Sequence, residues 1–403
     1  MTLLFRQVFR QVFRRSAKSH CLILLLLSIG VGCSHNHVAP SVQLGHLSDF
    51  NTDQTLMVVI KDPRSERHRR GLTTPGYSTA YSYADDPALD RASKALADKY
   101  SLNLLAQWPL RNLPVLCLVV EEPSDDVIKA LQADAKVEWV QAFNQFSTQT
   151  TSQPAFTEFK PMFADTAEKG AGVTVAVIDT SVDADHPSLK GSMLRQQNFA
   201  GSTERIGSES HGTAVVGLIA AQPQAGTSML GIARDAKVEV LRACWQASDE
   251  VKGRCNTLTL ALALDRAVDL SPQILNLSIT GPADPVLEKL IEKLLASGTL
   301  VVAAFDEALH ETQRFPRHRA GVAYAFGTNG DASGLPLTGA EALLLTAPRH
   351  ALSLTPAAGY DLVSGHSVAA PQVSGLAARL MASKPRASRD EILAELSHWL
   401  RPR

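Results

Sequence analysis

Charge of one sign is what this chain lacks most plainly. Its 39 Lys and Arg against 40 Asp and Glu leave a formal net charge of −1. A balance this even gives no electrostatic reason to expect nucleic acid or an anionic membrane surface as the main partner. No repeat of fixed period, no heptad run and no low-complexity block occurs, which sets aside solenoids, coiled coils and compositionally biased arrays. Cysteine is sparse: Cys21 and Cys33 near the N-terminus, Cys117 in an apolar run, and the close pair Cys244 and Cys255. Two neighbouring cysteines alone do not make a zinc site. What is present is ordinary for a globular protein, 403 residues with 45% apolar and 20% charged content. Such a length buries a sizeable core and leaves room for two domains and a leader.

Residues 1–20 carry Arg6, Arg10, Arg14, Arg15 and Lys18 and no acid. The apolar run Cys21 to Val31 follows, short for a bilayer-spanning helix but of the length of a signal-peptide core. It closes on Gly30-Val31-Gly32-Cys33-Ser34, which resembles a bacterial lipobox apart from Gly30, where a larger aliphatic is usual. The resemblance implies lipidation of Cys33; an ordinary cleaved signal and an uncleaved anchor are the alternatives. Ser34 in place of an Asp is similar to lipoproteins that travel to the outer membrane. Export permits disulfides, and a Cys244–Cys255 bridge across so short a loop is expected to contribute about 2–3 kcal/mol.

After a polar tether at 34–52, the pattern is a small α/β unit over 53–148. Leu56–Ile60 and Pro114–Val120 read as strands, Ala88–Leu105 has helical spacing, and Ser124-Asp125-Asp126 starts a second helix. Val137–Gln141 alternates as a final strand, and Cys117 reads as a buried core thiol.

Beyond it, Val173–Asp179 is a near-continuous apolar run ending in a carboxylate, the pattern of a buried parallel strand whose C-terminal end carries chemistry. Ser210-His211-Gly212-Thr213 opens a helix of small residues. Gly365-His366-Ser367-Val368-Ala369-Ala370-Pro371 sets a serine at another helix start, where free amides favour developing negative charge. A carboxylate, an imidazole and a hydroxyl are the parts of a base-activated nucleophile.

The three stretches, in the order Asp, His, Ser and spaced by 32 and 156 residues, resemble the motifs of the subtilisin-like serine peptidases, the subtilases. An α/β-hydrolase esterase fails on that order and lacks a Gly-x-Ser-x-Gly elbow. The resemblance implies catalytic roles for Asp179, His211 and Ser367. It also implies substrate-binding edges at Ser278-Ile279-Thr280, which would pair with an extended peptide, and at Gly253-Arg254. His186 belongs to a His-Pro pair read as structural. Several positions depart from the family: Ser181 and Thr280 replace glycines, and His366 replaces a threonine. Most consequential is Asp306, the atypical residue where an oxyanion-binding asparagine is usual. Phe315-Pro316 matches the family's aromatic-Pro pair. The unit at 53–148, and Pro123 to Phe146 in particular, looks like the family's propeptide.

The expected architecture is therefore α/β, a subtilisin-like three-layer fold with a mostly parallel central sheet, preceded by a small α/β propeptide domain. Its domains are a leader (1–33), tether (34–52), propeptide-like inhibitor (53–148) and catalytic domain (149–403), with no C-terminal domain. The expected function is a serine endopeptidase that cuts its own propeptide between Phe146 and Gln153. Its partners would be protein or peptide substrates, its own propeptide and, through a lipid on Cys33, the membrane of the cell envelope. The alternative is a catalytically impaired subtilase that binds peptides or proteins as a lipoprotein. No cofactor is identified; calcium enters by family resemblance alone.

Overall fold

The computed structural model describes Phe50 and residues 52–64, 86–148, 168–201, 206–246, 252–310, 312–328 and 343–400. The leader with Cys33, nearly all of the tether and residues 149–167 lie outside them.

The first part runs β1 (Thr55–Lys61), α1 (Pro87–Tyr100), β2 (Leu104–Leu110), β3 (Val115–Glu121), α2 (Asp125–Gln132) and β4 (Val137–Ala142). Its strands form an antiparallel sheet in the order β2-β3-β1-β4. Asp86 starts α1 by accepting the Ala88 amide at 2.8 Å, with Pro87 preset for the first turn. The helix does not reach Leu105: Ser101 takes a left-handed conformation (φ 53°) that stops it, and Leu104 already belongs to β2. The spacing pointing to a longer helix reads apolar residues of two elements as one.

Side chains of a strand alternate between faces, and here both faces are used. Leu116, Leu118 and Val120 pack with Leu89, Leu96 and Leu131 beneath the two helices. Val115, Cys117 and Val119 face the other way, into a core shared with the second part of the chain. Cys117 is fully buried there, and burial pushes its thiol pKa up, so it is inert as a nucleophile.

The chain continues through β5 (Gln145–Thr148), β6 (Thr174–Asp179), β7 (Met193–Asn198), α3 (Ser210–Ala220), β8 (Lys237–Arg242), β9 (Trp245–Gln246), β10 (Gly253–Asn256) and α4 (Thr257–Leu270). Then follow β11 (Ile274–Leu277), β12 (Ile279–Thr280), α5 (Pro285–Ala296), β13 (Leu300–Ala304), β14 (Val322–Thr328) and β15 (Leu343–Pro348). A hairpin of β16 (His350–Thr355) and β17 (Gly359–Ser364) leads into α6 (His366–Ser383) and α7 (Arg389–Leu400).

Seven parallel strands in the order β15-β14-β13-β11-β6-β8-β7 make the central sheet. Ala176 and Ile178 of β6 face α4 and α5, whereas Val175 and Val177 face α3 and α6. A sheet buried on both faces needs near-continuous apolar strands, and β6, β8, β11 and β13 supply them. The outer faces of α4 and α5 receive the first part's sheet, so one apolar core runs from Met57 and Val59 through these helices to Val301.

Two buried carboxylates fasten that junction. Asp265 of α4 accepts the backbone amides of Arg111 and Asn112 at 2.9 and 2.8 Å. Asp284, the N-cap of α5, accepts from Gln141, Asn144 and Thr257 at 2.8, 3.0 and 2.7 Å. Burial raises the pKa of both, opposed by these hydrogen bonds.

Candidate active site

Asp179 ends β6 at the C-terminal edge of the sheet and is fully buried. Its Oδ1 faces His211 Nδ1 at 2.7 Å and accepts the Thr180 amide at 2.7 Å, while its Oδ2 has no hydrogen-bond partner. With an acceptor at Nδ1, the imidazole carries its proton there and leaves Nε2 free as a base. The start of α3 is pinned to the same strand end: the Gly212 amide donates to Thr180 Oγ1 at 2.8 Å. A Cβ on Gly212 would stand 2.5 Å from the Thr180 carbonyl oxygen, so only glycine permits this approach.

A buried ion pair braces that corner. Glu209, the residue before α3, accepts from Arg242 Nη2 and Nε at 2.7 and 2.9 Å, from the Ser181 amide at 2.5 Å and from the Gln246 amide at 3.1 Å. Arg242 also donates to Asn198 at 3.0 Å. The strand ends of β6, β7 and β8 and the start of α3 thus converge on one carboxylate. Ser181, where the resemblance expects glycine, does not have a positive φ, and its Oγ accepts the Gly207 amide at 3.0 Å. The turn is kept by polar contacts instead of by glycine. His186 anchors the loop beyond: its Nδ1 accepts the Ser188 amide, its Nε2 meets the Gly359 carbonyl at 3.0 Å, and Tyr360 packs edge-on.

Ser367 is the second residue of α6, fully buried, after Gly365 with φ 136°. Ser367 and His211 line one small cavity of about 40 Å³ with Ser210, Thr355, Val363 and Val368. The helix behind the serine is tied to β11, since Ser374 donates to Asn276 at 2.9 Å and Asn276 donates to Ser278 at 2.9 Å.

His366 has no counterpart in the motif, and its partners were invisible in the sequence. Its Nδ1 accepts the Gly327 amide at 2.9 Å and its Nε2 lies 2.8 Å from Glu307 Oε1, with the Phe326 ring tilted at 42° and its centroid 4.6 Å away. Burial holds its pKa below the ordinary imidazole value against the pull of Glu307. The pair ties the serine turn to the segment after β13, where Asp306 is buried and accepts the Ala308 amide at 2.9 Å.

The two sequence-predicted substrate edges do not pair with each other. The strand between them is β5, which follows directly on β4. It runs antiparallel to β12, with Thr148 opposite Ile279 and Ser147 opposite Thr280. On its other side it runs antiparallel to β10, with Ser147 opposite Arg254 and Phe146 opposite Cys255. The Gly253 amide donates to Thr148 Oγ1 at 2.7 Å. Phe146 fills the space over Gly281, where a Cβ would come within 2.2 Å of its ring, and meets Phe315 edge-on at 5.6 Å. Phe315 precedes a cis Pro316. A disulfide joins Cys244 to Cys255 and holds β10 against the chain leaving β8.

Residues 170–316 match the model of the Subtilase family. The chain is a serine peptidase similar, over these residues, to the subtilase family. Subtilisin DY of Bacillus licheniformis is 27% identical over 237 residues, spanning 57% of this chain and 84% of that protein. Thermitase of Thermoactinomyces vulgaris is 27% identical over 233 residues, 57% of this chain and 81% of its own. The crystal structure of fervidolysin from Fervidobacterium pennivorans, a keratinolytic enzyme related to subtilisin, covers 85% of this chain and 56% of its own. At 18% identity and a TM-score of 0.59 it shares the fold. Among the described residues no group of three or more His, Cys, Asp and Glu side chains is placed to hold a metal ion.

Proposed function

We propose that this subtilase is an endopeptidase in which Ser367 is the nucleophile, His211 the general base and Asp179 the group that orients the imidazole. The observation that carries the reading is the 2.7 Å Asp179–His211 contact at the wall of the cavity that Ser367 also lines. His211 Nε2 takes the Ser367 proton as Oγ attacks the peptide carbonyl, then returns it to the leaving amine. Asp179 stabilises the imidazolium without taking a proton. The acyl-enzyme is released by water activated at the same nitrogen. The Ser367 amide, at the N-terminus of α6, donates to the oxyanion.

Asp306 is the weak point of this site. An ionised carboxylate repels the oxyanion where an amide would donate, and loss of one such donor costs about 10²–10³-fold in turnover. The chain therefore works slowly at neutral pH, and Asp306→Asn raises its turnover there. An unchanged rate removes the repulsion.

Residues 53–148 act as an inhibitor and folding partner, with β5 lying as a substrate strand between β10 and β12. Phe146, Ser147 and Thr148 are held in that pairing, so the self-processing cut follows Thr148, within 149–153. The test is N-terminal sequencing of wild type and Ser367→Ala: the wild type starts in that window and the variant stays whole. A serine-directed fluorophosphonate separates this reading from a binding protein without catalysis, the reading Asp306 favours, because a dead site does not label at Ser367. The N-terminal sequence further supports an envelope lipoprotein anchored through Cys33. Labelling with a tagged fatty acid, lost in Cys33→Ala, checks this.

A further inference from the structure

Arg314, on the segment that bridges Pro282 just after β12, is the anomaly. The residue is 7% exposed, its Nε has no hydrogen-bond partner, and among the described residues no carboxylate lies within ion-pair distance of its guanidinium. Its contacts are the Leu309 carbonyl at 2.5 Å and the rings of Phe305 and Tyr324, whose centroids lie 4.2 and 5.6 Å from Cζ. Carboxylates on neighbouring segments are engaged elsewhere: Glu307 with His366, Glu288 with Arg319, and Asp284 with the first part of the chain. A guanidinium cannot shed its proton, and burying a charge without a counter-ion is costly. Cation–π contact offsets part of that cost and leaves Nε without a partner.

The position of this cation relative to a bound strand follows from the pairing. Residues 313–315 lie along the continuation of β12: Arg314 bridges Pro282, the Phe315 amide donates to the Gly281 carbonyl, and the Ala283 amide donates to the Gln313 carbonyl. Phe315 packs on Phe146. Neighbouring residues of an extended segment point to opposite faces, so Arg314 points away from Phe146, over Phe305 at the end of β13. In the strand bound to β12, Phe146 and Thr148 share one face. The next residue, which would stand opposite Ser278, falls on the other face with Arg314. It is also the residue carried towards Asp306 and the serine turn, the one whose carbonyl is attacked.

We propose that Arg314 makes this subtilase select substrates with an acidic side chain, Asp or Glu, at the residue that donates the scissile carbonyl. The inference rests on the peptidase reading above. A carboxylate there completes the guanidinium with a charge-assisted, two-pronged contact. In this chain's own sequence the residue after Thr148 is Gln149, the uncharged isostere of Glu.

The test is a mixture of peptides varied at one position, digested with the full-length protein after self-processing, with cut sites read by mass spectrometry. Wild type is expected to favour Glu or Asp over Lys or Arg before the cut by at least about tenfold. Arg314→Gln is expected to lower kcat/KM for acidic substrates by at least about tenfold and leave Ala and Leu substrates within about twofold. Glu311, the acid nearest in the sequence, lies outside the described residues, so Glu311→Gln serves as the control and should leave the preference unchanged. An acidic preference that emerges only when Glu311 is removed would overturn the proposal, because that residue would then already occupy the arginine. Cleavage without acidic preference in wild type, or a preference that survives Arg314→Gln, overturns it alone. If Arg314→Gln does not fold, the wild-type profile and Arg314→Lys decide. No cleavage anywhere and no fluorophosphonate labelling overturns the peptidase reading and this inference with it.

Discussion

Replacing Glu209 by alanine tests how the candidate site is held together. Glu209 is completely buried, and Arg242 is 1% exposed. The substitution strips Arg242 of its carboxylate and also strands the Ser181 and Gln246 amides. Breaking a buried pair on one side costs about 3–5 kcal/mol, because the surviving charge is left without a partner. A loss of that size lowers the ratio of folded to unfolded protein by roughly 10²- to nearly 10⁴-fold. Removing both charges costs less than the two single losses combined, since no orphan remains; Glu209→Ala with Arg242→Met should show coupling of about 1–3 kcal/mol. The assay is urea unfolding in a Ser367→Ala background, which removes the proposed self-cleavage from the comparison. Rate measurements in the active background then show whether fluorophosphonate labelling slows as the α3 corner loosens. A single-variant loss below about 1 kcal/mol, or strictly additive losses, would refute the claim that this pair braces the corner.

Three further outcomes are expected. Phe146→Ala removes a fully buried ring over Gly281 and should weaken the hold on β5 by about 3 kcal/mol, seen as a lower denaturation midpoint in the Ser367→Ala background. Cys244→Ser or Cys255→Ser opens a bridge spanning 11 residues and should cost about 3 kcal/mol, read from the denaturation midpoint. Glu288 has its pKa raised by burial from 4.5 to about 7. The folded state therefore holds a proton that the unfolded state releases, so stability falls as pH rises from about 4.5 through 7. Glu288→Gln should abolish that slope in thermal melts.

Motif order made the serine turn, the His helix and the acidic strand end legible, because each is a short local pattern with fixed chemistry. The parallel sheet was equally legible, since strands buried on both faces must be continuously apolar. What could not be read were partnerships between distant residues. Nothing around Glu209 announces Arg242, and nothing around His366 announces Glu307. The four residues of β5 look like a polar end to the first domain. Their role emerges only when β10 and β12 stand on either side. Leu104 shows the opposite error, a local pattern extended one element too far because Ser101 gives no breaker signal of its own.

The strand β5 is joined by peptide bonds to the sheet that packs on α4 and α5, and it lies in the cleft without having to find it. While that link is whole, the cleft faces one occupant at an effective concentration set by geometry, whatever the amount of protein present. The cut proposed beyond Thr148 would turn the same contacts into a bimolecular complex whose occupancy falls on dilution. On the self-processing proposed above, activity would be gained by spreading out: crowded copies would stay closed, and those carried into a larger volume would open.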